Sequence, residues 1–295
     1  MSNDNLNMVS LITLPSYPFP QSLAASLALL ILSEYTAFYS GSALFKTAAS
    51  LSFFLGGWNK ASGVNEIQKL LLGLDFKALW VDESLRYTAS MLLGLGFSVL
   101  GDVLLIPSKT NFYSFRQASK KVKEDDTKPS PSAKAEGVTL AFKLGTLSFA
   151  LAHISYVVAF MASPTPLTTP RVWLFAATAA IVLSISDYLG IFGQSNAGVV
   201  PLVTIPKDIE VLVQGYVGII TTMVAVATAT DPGVQKVVGA WMFMISDLFV
   251  AIDTFGRKKA GTVGVKKSGG KPGWAFRSVG WIFYFGANLI LAGAL

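Results

Sequence analysis

Long apolar runs alternate with short polar breaks along this chain, and the runs set its architecture. A helix needs about 20 mostly apolar residues to cross a bilayer. Eight runs approach that length, at about 21–39, 43–58, 86–106, 139–162, 172–192, 209–229, 233–252 and 274–295. The pattern predicts an all-α protein: a polytopic membrane helix bundle of about eight transmembrane helices, with 1–295 as a single membrane domain. The second run is the shortest and carries Lys46. The stretch "YSGSA" reads as a tight turn that makes the first two helices antiparallel neighbours. Between the second and third runs, "NEIQKLLLGLDFKALWVDE" has helical apolar spacing and is expected to lie on the membrane surface.

Two stretches break the pattern. Residues 107–138 contain "KKVKEDDTKPSPSAKAE", which cannot bury a core and is expected to be a disordered basic loop. Residues 256–273, "GRKKAGTVGVKKSGGKPG", form a second basic loop. Alternation of eight spans puts both loops, with 193–208, on one side of the membrane. Most of the Lys and Arg fall there, so the positive-inside rule places that side in the cytoplasm and both termini opposite. The first apolar run follows prolines at 15, 18 and 20 without a basic leader, so no cleaved signal peptide is expected. Without a targeting sequence, the endoplasmic reticulum is the expected membrane.

Composition agrees with the pattern. Charged residues make up 14% of the chain, against about 25% in soluble domains. The net charge of +6 gathers in the loops, where it reads as topology and attraction to anionic membrane lipids rather than nucleic-acid binding. The chain has no cysteine, which excludes disulfides, thiolate nucleophiles and Cys-ligated metals. It has a single histidine, His153, which excludes a multi-histidine zinc site. No G-x-S-x-G elbow, P-loop or G-x-G-x-x-G fingerprint occurs, so neither metal nor cofactor is expected.

The chemistry is carried by charges inside the runs. A charged side chain at a bilayer centre costs roughly 2.5–3.5 kcal/mol or more and marks function by default. Glu34, Lys46, Asp102, His153, Asp187, Asp247 and Asp253 are the candidates. In the topology above, the carboxylates and Lys46 fall within a few turns of the basic face, and His153 lies nearer the middle. This spacing suggests one polar cavity opening toward that face. Simpler readings exist for some: Glu34 and Lys46 flank one turn and could pair, and Asp187 and Asp253 could be solvated at helix ends. Asp102 and Asp247 are deeper and harder to explain without a function. Thr146, Phe149, His153 and Tyr156 share one helical face.

Several stretches together resemble the YhhN-like lysoplasmalogenase family of polytopic membrane enzymes: "LFKTAASL" (44–51), "GLGFSVLGDVLL" (94–105), "FALAHISYVVAF" (149–160), "QGYVGIITTMV" (214–224), "GAWMFMISDLFVAIDTF" (239–255) and "FYFGANLIL" (283–291). The chain departs from the family pattern at Thr47, where proline is usual, at Asn288, where glutamine is common, and in the long 107–138 loop. The resemblance implies hydrolysis of the vinyl-ether bond of a lysoplasmalogen, giving a fatty aldehyde and a glycerophospho-base. It maps the expected catalytic pair onto Asp102 and Asp247 and makes a lysophospholipid the partner molecule. Such chemistry suits two carboxylates. A vinyl ether is cleaved by protonating its β-carbon, which leaves an oxocarbenium ion for water to attack. One carboxyl group can supply the proton while another stabilises the cation, as in glycoside hydrolysis. In supporting roles, Lys46 and His153 are candidates to bind phosphate or tune the pair. Ser98, Tyr156, Tyr216, Ser246 and Asn288 are candidate hydrogen-bond partners, and Asp253 is the second acid of its helix. Two other readings stay open: a transporter or proton-coupled carrier, and a non-catalytic lipid sensor or scaffold.

Overall fold

The computed structural model describes residues 12–61, 65, 67, 69, 77, 81–110, 112–113, 139–163, 167–193, 201–256 and 274–295. Most of the expected surface helix after residue 61 lies outside the described residues. So do 114–138 and 257–273, the bulk of the two basic loops.

Among the described residues are eight long α-helices: α1 (Phe19–Thr36), α2 (Tyr39–Lys60), α3 (Glu83–Leu104), α4 (Leu140–Met161), α5 (Val172–Leu189), α6 (Glu210–Thr230), α7 (Val234–Phe255) and α8 (Trp274–Ala292). Local chemistry explains their ends. Asp82 caps α3, its Oδ1 accepting the N–H of Ser84 at 2.8 Å and of Leu85 at 3.1 Å. Gly190 ends α5 in the left-handed conformation (φ 92°), which turns the chain before the predicted end at 192. The α1–α2 turn falls at Ala37 (φ 64°), ahead of "YSGSA", whose residues already belong to α2. Gly41 serves close approach instead of the turn. A Cβ there would meet Ser33 Oγ at 2.5 Å across the hairpin.

Six of these helices, α3 to α8, are long and apolar enough to cross a membrane. The protein is a multi-pass membrane helix bundle. Of the eight runs read as spans, the first two fall short by composition, for a reason the packing supplies. α2 carries Lys46, Ser50 and Ser52, and both serines are buried. Its polarity faces the bundle.

Neighbouring helices close a ring in the order α2, α3, α4, α6, α7, α8, with α8 returning to α2. α1 packs outside against α2 and α8, and α5 outside against α6. Phe53, Tyr156, Phe160, Phe243 and Phe285 fill the ring interior, fully buried. Large apolar side chains such as Leu93, Leu100, Leu147, Ile181 and Ile282 face outward. Polar groups inside and leucines outside is the arrangement a hydrocarbon solvent favours. Helical hydroxyls such as Ser155, Thr222 and Thr228 bond back to the carbonyl four residues earlier, which satisfies them without water.

The α3–α4 contact depends on glycine. A Cβ on Gly94 would meet the Tyr156 ring at 2.4 Å, and one on Gly101 the Phe149 ring at 2.7 Å. Glycine to alanine normally favours a helix by about 1 kcal/mol. Here the sign reverses, because Tyr156 is fully buried and has no room to retreat. Gly94→Ala is expected to lower stability by about 1–3 kcal/mol, the usual cost of overpacking. Thermal unfolding in detergent reads it, and a raised midpoint would refute the packing argument.

Candidate active site

All six ring helices place polar side chains in the interior, and these form two sets around two aspartates.

The first set surrounds Asp102, in the last turn of α3 and 3% exposed. A carboxylate at a helix C-terminus faces the negative end of the helix dipole. Lys46 of α2 offsets this directly. Its Nζ lies 3.2 Å from Asp102 Oδ1 and also donates to the Asp102 backbone carbonyl at 3.2 Å. Ser50, one turn further along α2, donates to Asp102 Oδ2 at 2.6 Å. Tyr284 of α8 donates to the same oxygen at 2.7 Å. Lys46 and Ser50 reach one target because positions four apart share a helix face.

Behind Tyr284 stands a supporting group. The Asn288 side-chain amide donates to the Tyr284 carbonyl at 3.0 Å, and Asn288 Oδ1 accepts from the Tyr156 hydroxyl at 3.2 Å. Ser98 donates to the Gly94 carbonyl at 2.9 Å.

The second set surrounds Asp247 of α7, whose side chain is 20% exposed. Tyr216 of α6 donates to Asp247 Oδ2 at 2.6 Å. His153 of α4 is fully buried. Its Nε2 lies 2.9 Å from the Tyr216 hydroxyl and 3.4 Å from Asp247 Oδ2, and its Nδ1 lies 3.2 Å from Met223 Sδ. The second oxygen of Asp247 makes no hydrogen bond among the described residues. Phe243, one turn before Asp247, joins the two sets. It packs edge-on against His153 at 4.6 Å and against Tyr284 at 5.3 Å between ring centroids.

Other expected site residues stand apart. Asp253 pairs with Arg277, whose Nε lies 3.0 Å from Asp253 Oδ2. Arg277 also reaches Glu34 Oε2 at 3.4 Å. Glu34 therefore pairs with Arg277 rather than with Lys46, and Glu34 and Asp253 form a group apart from the Asp102 and Asp247 sets. Asp187 is exposed on α5. Ser246 is buried, with no hydrogen bond to either aspartate. Asp253→Asn is accordingly expected to reduce turnover far less than changes at Asp102 or Asp247. An equal loss would bring Asp253 into the reaction.

Ser50, Tyr284 and Met223 join the site in addition to the residues expected from the sequence. The available signal was helical spacing: Ser50 lies four residues after Lys46, and Tyr284 four before Asn288. Among the described residues no group of three His, Asp or Glu side chains could hold a metal ion.

A family model described as the YhhN family matches residues 133–295. The chain belongs to the YhhN family. Searches of curated proteins and of solved structures each returned no match. The matched residues of this YhhN-family chain contain α4 to α8, and so His153, Tyr216, Asp247, Tyr284 and Asn288. Lys46, Ser50 and Asp102 precede them. The Asp102 set joins the matched region, through Tyr284, to the helices before it, whereas the Asp247 set lies wholly within the match.

Proposed function

We propose that this YhhN-family protein hydrolyses the vinyl-ether bond of a lysoplasmalogen, releasing a fatty aldehyde and a glycerophospho-base. The observation that carries the reading is the contrast between two intramembrane aspartates. Asp102 is closed off and held as an acceptor by an ammonium and two hydroxyls. Asp247 is partly open and has one oxygen left unbonded by the described residues. Vinyl-ether hydrolysis asks for this division. One group gives a proton to the β-carbon and takes one from the attacking water. The other is a fixed anion beside the oxocarbenium ion. Asp247 suits the first role and Asp102 the second, by the logic of paired carboxylates in glycoside hydrolysis. Among the described residues Lys46, 17% exposed and in contact with Asp102, is the cation placed for a headgroup phosphate. The hydrocarbon chain lies among the apolar helices.

Aldehyde release from a lysoplasmalogen by purified protein in detergent tests the reading, with Asp102→Asn and Asp247→Asn as controls. Release that disappears in both variants, each shown to be folded at the assay temperature, supports it. No release from folded protein overturns it, and a flux assay in liposomes then tests the carrier alternative that buried acids also suit.

A further inference from the structure

The contacts around Tyr216 contain a proton count. Tyr216 lies 2.6 Å from Asp247 Oδ2 and 2.9 Å from His153 Nε2. Two contacts this short to one hydroxyl need two protons, and the hydroxyl owns one. The second sits on Nε2 or on Oδ2. The other side of the imidazole sharpens the choice. Nδ1 faces the Met223 thioether at 3.2 Å, a group that accepts weakly and cannot donate. A bare Nδ1 would oppose the sulfur lone pairs, so Nδ1 carries a proton.

We propose that His153, Tyr216 and Asp247 form a proton relay, in which one proton is shared between His153 Nε2 and Asp247 Oδ2 through the Tyr216 hydroxyl. Two arrangements with equal charge satisfy every contact. In one, the imidazolium donates to Tyr216 and Tyr216 donates to the Asp247 carboxylate. In the other, neutral Asp247 donates to Tyr216 and Tyr216 donates to neutral His153. They differ by one short proton shift along each of two hydrogen bonds. Among the described residues the groups in contact with His153 are Tyr216, Asp247, Met223 and Phe243, and of these Tyr216 and Asp247 exchange protons. His153 is sealed from solvent, whereas Tyr216 and Asp247 are both partly open, so the relay meets the outside at its Tyr216–Asp247 end.

The role in catalysis rests on the hydrolase reading; the shared proton does not. In that reading the Oδ2–H of neutral Asp247 swings from Tyr216 to the substrate, the O–H bond breaks and its electron pair stays on Oδ2. A C–H bond forms from the π pair at the vinyl β-carbon. The Tyr216 hydroxyl turns from Nε2 to the carboxylate left behind. Water adds to the oxocarbenium carbon and returns a proton to Asp247. The hemiacetal C–O bond then breaks, with its hydroxyl proton passing to the glycerol oxygen. Asp247 is the catalytic residue, and His153 and Tyr216 are positioning residues.

A single histidine makes the relay directly observable. Protein labelled with ¹⁵N-histidine, carrying a histidine-free affinity tag, gives one imidazole pair of resonances in nanodiscs. A protonated Nδ1 is expected, together with an Nε2 resonance that shifts in both Tyr216→Phe and Asp247→Asn. Met223→Leu is expected to release the Nδ1 preference, a second variant that leaves Tyr216 in place. A bare Nδ1 in the native protein, or an Nε2 resonance indifferent to both variants, overturns the relay. None of these readouts requires substrate, so a failed aldehyde assay with the expected spectra sinks the hydrolase reading alone. With turnover in hand, Tyr216→Phe is expected to lower kcat by roughly tenfold or more at nearly constant KM. An equal fall in kcat/KM carried by KM would assign Tyr216 to binding instead.

Discussion

Asp247→Asn is expected to lower aldehyde release by about three orders of magnitude, within the range that a positioned acid–base group contributes. The thermal unfolding midpoint in detergent should stay close to that of the native protein. Both expectations follow from the surroundings of Asp247. Its side chain is partly open, and its hydrogen-bonded partner is a neutral hydroxyl that can donate equally well to an amide oxygen. The amide cannot give a proton to carbon at any useful rate. Combining Asp247→Asn with Asp102→Asn should cost little more than either single change, because groups acting in one step are strongly non-additive. Residual turnover above about a tenth of native in Asp247→Asn would remove this residue from the proton transfer.

The second large effect concerns stability and separates structure from chemistry at Asp102. Removing one partner of a buried ion pair is strongly destabilising, by about 3–5 kcal/mol, because the other charge is left uncompensated. The Lys46–Asp102 pair is 17% and 4% exposed in its two side chains, close to that limit. Asp102→Asn and Lys46→Met should each lower the unfolding midpoint in detergent clearly. The double variant should recover most of that loss, since neither charge then remains. In the proposed reaction activity should not recover with it, because that reaction uses Asp102 as the anion beside the oxocarbenium ion. A double variant as unstable as the two singles combined would show that the pair is not the main stabilising contact. A double variant with restored turnover would show that Asp102 acts only through folding.

The long apolar runs, the interruptions between them and the rarity of charge inside them were legible in the sequence, because a bilayer imposes length and polarity on each helix separately. Asp102 and Asp247 stood out on the same ground: a carboxylate amid apolar residues has no cheap structural explanation. Partnerships between helices were not legible. Lys46 sits close in sequence to Glu34, yet pairs with Asp102, because α2 turns that face toward α3 while Arg277 of α8 reaches Glu34. Asp187 shared the depth of the other acids but lies on α5, outside the ring. Its helix packs against α6 alone of the ring helices with which it makes more than marginal contact. Periodicity assigns a residue to a depth and a face of its own helix. Which helix that face meets depends on the order of the ring, and contacts between distant segments carry no local sequence signal. The sequence by itself therefore determined that this is a membrane bundle with costly buried acids. The tertiary structure alone decided that one acid is bound to an ammonium and the other to a tyrosine and the single histidine.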